Sequence, residues 1–319
     1  MTGKEQMPEA TGQVFDAVRG NWVDIHAPAG LRPYLRLSRA DRPIGTWLLL
    51  LPCWWGLLLA MVNDGQAGWF DLWIFAGCAI GAALMRGAGC TWNDITDRHI
   101  DGHVARTASR PIPSGQVTVR QALIWAGLQC LVSFVILLTF PPAAIVLGLL
   151  SLMPVLIYPF AKRFTWWPQV FLGIAFNWGA LLAYAAHAET LGLPAVLLYL
   201  AGIFWTLFYD TIYAHQDVED DALIGVKSTA RLLGAQSPRW LVGFALMSVV
   251  LMGIASWLAD PAPLAFGLMI AGIWLMGRHL FWQVKTLDTE DPACCLRLFR
   301  SNRDCGLILV LFFAGAVIV

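Results

Sequence analysis

Residues 72–101 read LWIFAGCAIGAALMRGAGCTWNDITDRHID: twenty-one positions in which Arg86 is the one charge, then nine that hold three aspartates, an arginine and a histidine. Crossing about 30 Å of hydrocarbon as a helix takes about 20 apolar residues. The stretch therefore predicts a membrane-spanning helix that emerges from the bilayer carrying carboxylates. Comparable apolar runs stand at 44–62, 121–140, 143–161, 168–188, 191–213, 240–259, 264–284 and 304–319. The expected fold is an all-α integral membrane protein of nine transmembrane helices. The last run is short, and the fourth contains Pro154 and Pro159, which membrane helices tolerate when neighbours satisfy the freed backbone groups.

Composition agrees. Of 319 residues, 58% are hydrophobic and 13% charged, against roughly 25% charged in soluble domains. This excludes an ordinary soluble globule and makes the lipid bilayer the first partner. Lys plus Arg and Asp plus Glu are 21 each, so no basic field gathers nucleic acid. The seven cysteines show no C-x-x-C pair and no zinc spacing, and read as small apolar packing residues.

Lys and Arg concentrate on cytoplasmic flanks. Here they precede the first run, flank the second-to-third connection, and lie at Lys162–Arg163, between the sixth and seventh runs and between the eighth and ninth. The connections near Asn63, Pro141, Ala188 and Pro261 hold none. The N-terminus is thus expected in the cytoplasm and the C-terminus outside, with residues 1–40 as a cytoplasmic segment before a membrane domain over 41–319. Glu5, Glu9, Asp16 and Asp24 argue against a signal peptide or an acid-poor presequence, which favours a bacterial inner membrane.

Two acidic constellations close the second and sixth runs, four spans apart, as a degenerate repeat would place them. On a continuing helix Asn93, Asp97 and Asp101 fall at 0°, 40° and 80°, with Asp94 at the edge of that face. Asp210, Asp217 and Asp221 fall within about 40° of one another on the same assumption. For one cluster alone the plain reading is solvated loop carboxylates; two at equivalent positions favour a shared binding role. Hard oxygen ligands without Cys or paired His point to Mg²⁺, which typically combines one or two carboxylates with waters and substrate phosphate. Arg106, Arg110, Lys227 and the Lys162–Arg163 pair stand beside these clusters, as they would around an anionic diphosphate, although inside loops hold Lys and Arg in any case. His99, His103 and His215 have no ligand spacing. The aromatic residues from Tyr158 to Tyr213 are packing or interfacial residues first, and candidates to line a cavity second.

The motifs resemble those of the UbiA-type intramembrane prenyltransferases. The signature N-D-x-x-D-x-x-x-D stands complete from Asn93 to Asp101, and D-x-x-x-D runs from Asp217 to Asp221. DRPIGTWLLLLPCWWGL (41–57), RTASRPIPSG (106–115), YPFAKR (158–163) and IGVKSTARLLG (224–234) resemble the branch of that family acting on 4-hydroxybenzoate in ubiquinone biosynthesis. The resemblance implies a nine-helix bundle around a central cavity and transfer of a polyprenyl group from its diphosphate to the ring carbon meta to the carboxylate. It assigns Asp97, Asp101, Asp217 and Asp221, with Asp94 in support, to Mg²⁺. It assigns Asn93, Arg106, Arg110, Lys162 and Lys227 to the donor diphosphate, and Arg42 to the acceptor carboxylate. Asp97, Asp101, Asp217, Asp221 and Lys162 form its catalytic set.

Two alternatives are weighed against this reading. One stays in the family with another acceptor, such as homogentisate or dihydroxynaphthoate. The other is a divalent-cation or organic-anion transporter, which would place ionisable residues near the bilayer midplane rather than at helix ends.

Overall fold

The computed structural model describes residues 20–102, 107–223 and 225–319. In chain order its α-helices are α1 (Trp22–His26), α2 (Arg32–Leu37), α3 (Ile44–Asp64), α4 (Trp69–Asp101), α5 (Val119–Leu137), α6 (Pro142–Leu150) and α7 (Leu152–Phe164), then α8 (Pro168–Ala188), α9 (Leu193–Ala214), α10 (Val218–Leu223), α11 (Thr229–Leu233), α12 (Ser237–Leu258), α13 (Pro263–Thr286) and α14 (Pro292–Ile318). Among the described residues nine helical segments are long and apolar enough to cross a membrane, and the chain is a multi-pass membrane protein. The stripe Ile124, Leu128, Leu131 and Val135 on α5 is exposed at helical spacing. An apolar stripe of this kind is satisfied by lipid rather than by water.

Two expectations are corrected. The ninth span begins at Pro292, twelve residues before the apolar run, with Asp291 capping it by accepting from the Ala293 amide. The polar stretch 297–304 stays helical because Cys294, Cys295, Leu298, Phe299, Asn302 and Cys305 form one buried face. The fourth run divides into α6 and α7 around Ser151. Pro154 then falls in the first turn of α7, where a missing N–H costs nothing, and Pro159 remains inside the helix.

The chain groups into two compact units. Among the described residues one comprises residues 20–43 together with Leu84–Leu131; the other comprises Ile44–Ala83 and Val132–Val319. The first has a small core of Leu37, Ile95, Val117 and Ala122. Its short helices are tied down by polar contacts: Trp22 Nε1 donates to Ala40 O at 2.9 Å, and Arg36 pairs with Asp24 at 2.7 Å.

In the second unit, helices approach closely where glycine faces them. A Cβ on Gly56 of α3 would lie 2.1 Å from the backbone oxygen of Ala180 in α8, and one on Gly306 of α14 would press on Leu51, Trp55 and Trp205. Small residues at such crossings are how membrane helices gain packing without a hydrophobic drive. The centre of the unit holds the fully buried Trp55 and Trp205, 4.8 Å apart between rings. A buried polar cluster joins three helices there: Trp205 Nε1 donates to Asn302 Oδ1 at 3.1 Å, and Asn302 and Gln283 exchange amide hydrogen bonds of 3.1 and 3.2 Å. In hydrocarbon such donors must be satisfied internally. The turn from α3 to α4 is pinned to α8 by His187, whose ring nitrogens lie 2.6 Å from Asp71 and 3.0 Å from Asp64.

Candidate active site

At 33 residues α4 is about 50 Å long. It exceeds the hydrocarbon thickness by several turns, and its last turns hold the first acidic signature in unbroken helix. The shared face expected of Asn93, Asp97 and Asp101 therefore forms. Asp94 has no solvent exposure, Asp97 has 1% and Asp101 6%, whereas Asn93 is half-buried. Asp101, beyond the span, has its carboxyl pushed above the usual range first by burial; the nearby Arg110 opposes this, and Asp94 and Asp97 add to it.

Two arginines organise this carboxylate group. Arg39 donates from Nη2 to Asp94 Oδ1 at 2.5 Å. Arg110 donates from Nη1 to Asp101 Oδ2 at 2.8 Å and lies 3.5 Å from Asp94 Oδ1. Arg39 takes a left-handed backbone, with φ of 56°. Its Nη1 also donates to Arg36 O, at 3.2 Å. The connection after α4 folds back on it through Thr107, whose hydroxyl donates to Asp101 O at 2.8 Å. Arg106 lies outside the described residues. Arg42, half-buried, has its Nε 3.3 Å from Asp41 Oδ1.

Two of the three carboxylates, Asp94 and Asp101, thus pair with two guanidinium groups. Asp94 Oδ2 is buried with no hydrogen-bond partner among the described residues, a costly state for a carboxylate oxygen unless a cation meets it. The donor set is all oxygen, which suits a hard cation. No three His, Cys, Asp or Glu side chains among the described residues converge closely enough to hold an ion unaided. Mg²⁺ fits that arrangement, because it takes one or two carboxylates and completes its shell with water and phosphate.

The second constellation, in the other unit, departs from the simple helical reading. α9 ends at Ala214, a 3₁₀ turn covers His215–Asp217, and α10 follows. At three residues per turn the 3₁₀ segment turns each residue about 20° further than an α-helix does, which moves Asp217 from about 20° on one side of Asp210 to about 40° on the other, a spread like that between Asn93 and Asp97. The turn is held by His215 Nε2, 2.9 Å from Ser237 Oγ. Asp217 and Asp221 are both half-buried. The Asp221 carbonyl accepts from the Val226 amide at 2.9 Å. Lys162 stands half-buried in the last turn of α7, and its carbonyl accepts from the Lys227 amide at 3.1 Å. Lys227 Nζ donates to Phe164 O at 3.3 Å. Lys162, Lys227 and Asp221 therefore belong to one local structure, 65 residues apart in sequence at their extremes.

Of the aromatic residues, Trp205, Phe208 and Tyr209 are buried in the core, and Tyr213 packs on Phe299 at 4.4 Å between rings. Trp166, by contrast, is 38% exposed and faces Arg231 and Lys227. Arg39 and Arg231 were not singled out by sequence, since each acts through contacts that no local spacing announces.

Residues 49–303 match the UbiA prenyltransferase family, and the chain belongs to it. It is 46% identical over 290 residues to the mitochondrial 4-hydroxybenzoate polyprenyltransferase of Bos taurus, covering 89% of this chain and 75% of that one. The Arabidopsis thaliana protein of the same name is 44% identical over 299 residues, covering 93% and 71%. Among solved structures, a UbiA homolog from Archaeoglobus fulgidus bound to GPP and Mg2+ superposes with a TM-score of 0.67 at 18% identity, over 90% of this chain and 100% of that one. This last likeness shows the fold. Family membership displaces the transport alternative.

Proposed function

We infer that this chain transfers a polyprenyl group from polyprenyl diphosphate to 4-hydroxybenzoate, forming a carbon–carbon bond at the ring position meta to the carboxylate. The observation that carries the reading is identity of 44% to 46% over about nine-tenths of the chain to enzymes of that name, with both acidic signatures intact in the sequence. The membrane setting suits the chemistry, since a long polyprenyl tail has no reason to leave the bilayer.

The two sequence signatures assign Asp97, Asp101, Asp217 and Asp221 to Mg²⁺ held at the donor diphosphate. Asp94 offers Oδ2 while Oδ1 anchors Arg39. Bound Mg²⁺ supplies positive charge to the diphosphate oxygens as the allylic carbon–oxygen bond breaks. Asn93, Arg106, Arg110, Lys162 and Lys227 donate hydrogen bonds to the same oxygens, so the leaving group departs with the electron pair into a preorganised cationic surround. Arg42 binds the acceptor carboxylate. The electron-rich ring carbon ortho to the hydroxyl attacks the allylic cation and then loses its proton; departing diphosphate and Asp210 are the two candidate acceptors. Apolar helix walls exclude water that would otherwise capture the cation. The asymmetry of Lys and Arg supports a cytoplasmic N-terminus, an external C-terminus and an aspartate-bearing face toward the cytoplasm, and the acidic residues Glu5, Glu9, Asp16 and Asp24 support a bacterial inner membrane.

The test uses purified protein in detergent with geranyl diphosphate, labelled 4-hydroxybenzoate and Mg²⁺, followed by mass spectrometry of the product and an EDTA control. A ring-prenylated acid that disappears with EDTA is the expected result. Product with homogentisate or dihydroxynaphthoate but not with 4-hydroxybenzoate would move the chain to another branch of the family.

A further inference from the structure

The segment that follows α10 carries Lys227 and is continuous with Asp221, so its placement decides where both present themselves. It is only partly fixed by its own backbone: Val226 N reaches Asp221 O at 2.9 Å, and Gly225, with φ of 73°, makes the reversal that L side chains resist. Further support comes from a side chain on the helix that follows. Arg231, on α11, donates from Nη1 to the carbonyls of both Asp221, at 3.2 Å, and Val226. Its guanidinium lies over the ring of Trp166 at 5.4 Å. Lys227 Nζ stands 5.9 Å from the same ring centre.

Trp166 belongs to the short connection between α7, which ends at Phe164, and α8. The last turn of α7, just before that connection, is already joined to the segment by the Lys227 amide on Lys162 O and by Lys227 Nζ on Phe164 O. α11 itself is anchored from below: Ser228 caps it by accepting from the Arg231 amide at 3.4 Å, Thr229 N donates to Gln169 Oε1 at 3.2 Å, and the Thr211 and Thr229 hydroxyls meet at 2.7 Å. Arg231 therefore has a fixed base and an aromatic platform, and it holds two carbonyls that flank the reversal.

We propose that Arg231 is a positioning residue: stacked on Trp166, it straps the 221–228 segment and thereby sets the carboxylate of Asp221 and the ammonium of Lys227 for the diphosphate. The proposal rests on the prenyl-transfer reading for its catalytic consequence, but not for its structural one. A planar guanidinium suits both tasks, since it stacks flat on an indole while its edge N–H groups fork to two acceptors. Lys227 keeps further donors to offer an anion, because an ammonium has three.

The test compares wild type with Arg231→Met, which keeps an apolar stem over Trp166 but has no donors, and with Trp166→Leu, which keeps the donors but removes the platform. Hydrogen exchange by mass spectrometry on metal-free protein reads the strap directly. Loss of hydrogen bonds from a charged group predicts exchange about tenfold faster or more in peptides covering 221–228 of Arg231→Met, with the spanning helices unchanged. In the prenyl-transfer assay the same variant is expected to lose about tenfold or more in kcat and to need more Mg²⁺ for half-maximal rate, with KM for 4-hydroxybenzoate unchanged. Trp166→Leu should shift each quantity in the same direction. Wild-type exchange over 221–228 in both variants would overturn the proposal, as would faster exchange spread through the whole chain. An inactive wild type would refute the transfer reading instead, and the exchange result would still decide the strap.

Discussion

Replacing Arg39 with Met tests how the first carboxylate group is held. Asp94 has no exposure, Arg39 Nη2 lies 2.5 Å from its Oδ1, and the next cation, Arg110 Nη1, is 3.5 Å away. With charge centres about 4 Å apart and an effective dielectric of about 20, the attraction is about 4 kcal/mol. Leaving one member of a buried pair behind costs about 3–5 kcal/mol, a large share of a native stability of about 5–15 kcal/mol. Both Arg and Met pay the same backbone penalty at the left-handed φ of 56°, so the difference reports the side chain. Asp94→Asn removes the charge from the other side, and the double variant leaves no buried charge unpaired between these two positions. The expected coupling energy is about 2–4 kcal/mol, with the double variant less destabilised than the sum of the singles. Equilibrium unfolding in mixed detergent and SDS micelles, followed by the fluorescence of the sixteen tryptophans, measures all four corners of the cycle. Effects that add to within about 0.5 kcal/mol would refute the pairing as the organiser of this group.

Other perturbations probe the scaffold. Gly56→Ala would set a Cβ 2.1 Å from Ala180 O, a backbone atom that cannot rotate aside. α3 and α8 must then part, at about 1–3 kcal/mol in the same unfolding assay; unchanged stability would contradict the close crossing. Asn302→Leu strands Gln283 and the Trp205 indole N–H in a wholly buried site, with an expected loss of about 1–3 kcal/mol. Adding Gln283→Leu should recover part of that loss, and a further loss would contradict the network.

The spans were legible because lipid imposes one simple rule, a run of apolar residues long enough to cross, and most ends fall within a few residues of the apolar runs. The ninth start was not, because Arg297, Arg300 and Arg303 interrupt hydropathy while Leu298, Phe299 and Asn302 on the same turns are buried. Helical spacing sufficed for Asn93, Asp97 and Asp101, which α4 holds on one face. Between Asp210 and Asp217 a 3₁₀ turn that spacing does not announce shifts the phase by about 60° and still leaves the two on one face. Arg39 meets Asp94 across 55 residues, and Arg231 gains its role from Trp166, 65 residues earlier. Such roles are set by tertiary placement, and periodicity carries no trace of them.

The central claim is that both acidic clusters serve one Mg²⁺-dependent prenyl transfer. Its most direct test is the initial rate of ring-prenylated product from wild type, Asp97→Asn and Asp217→Asn, each shown to be folded by its unfolding curve in detergent. The account predicts that either substitution alone lowers the rate by about 10²-fold or more, since each removes a charge that acts on the departing diphosphate. A wild-type rate in either variant would remove that cluster from the reaction and contradict the account.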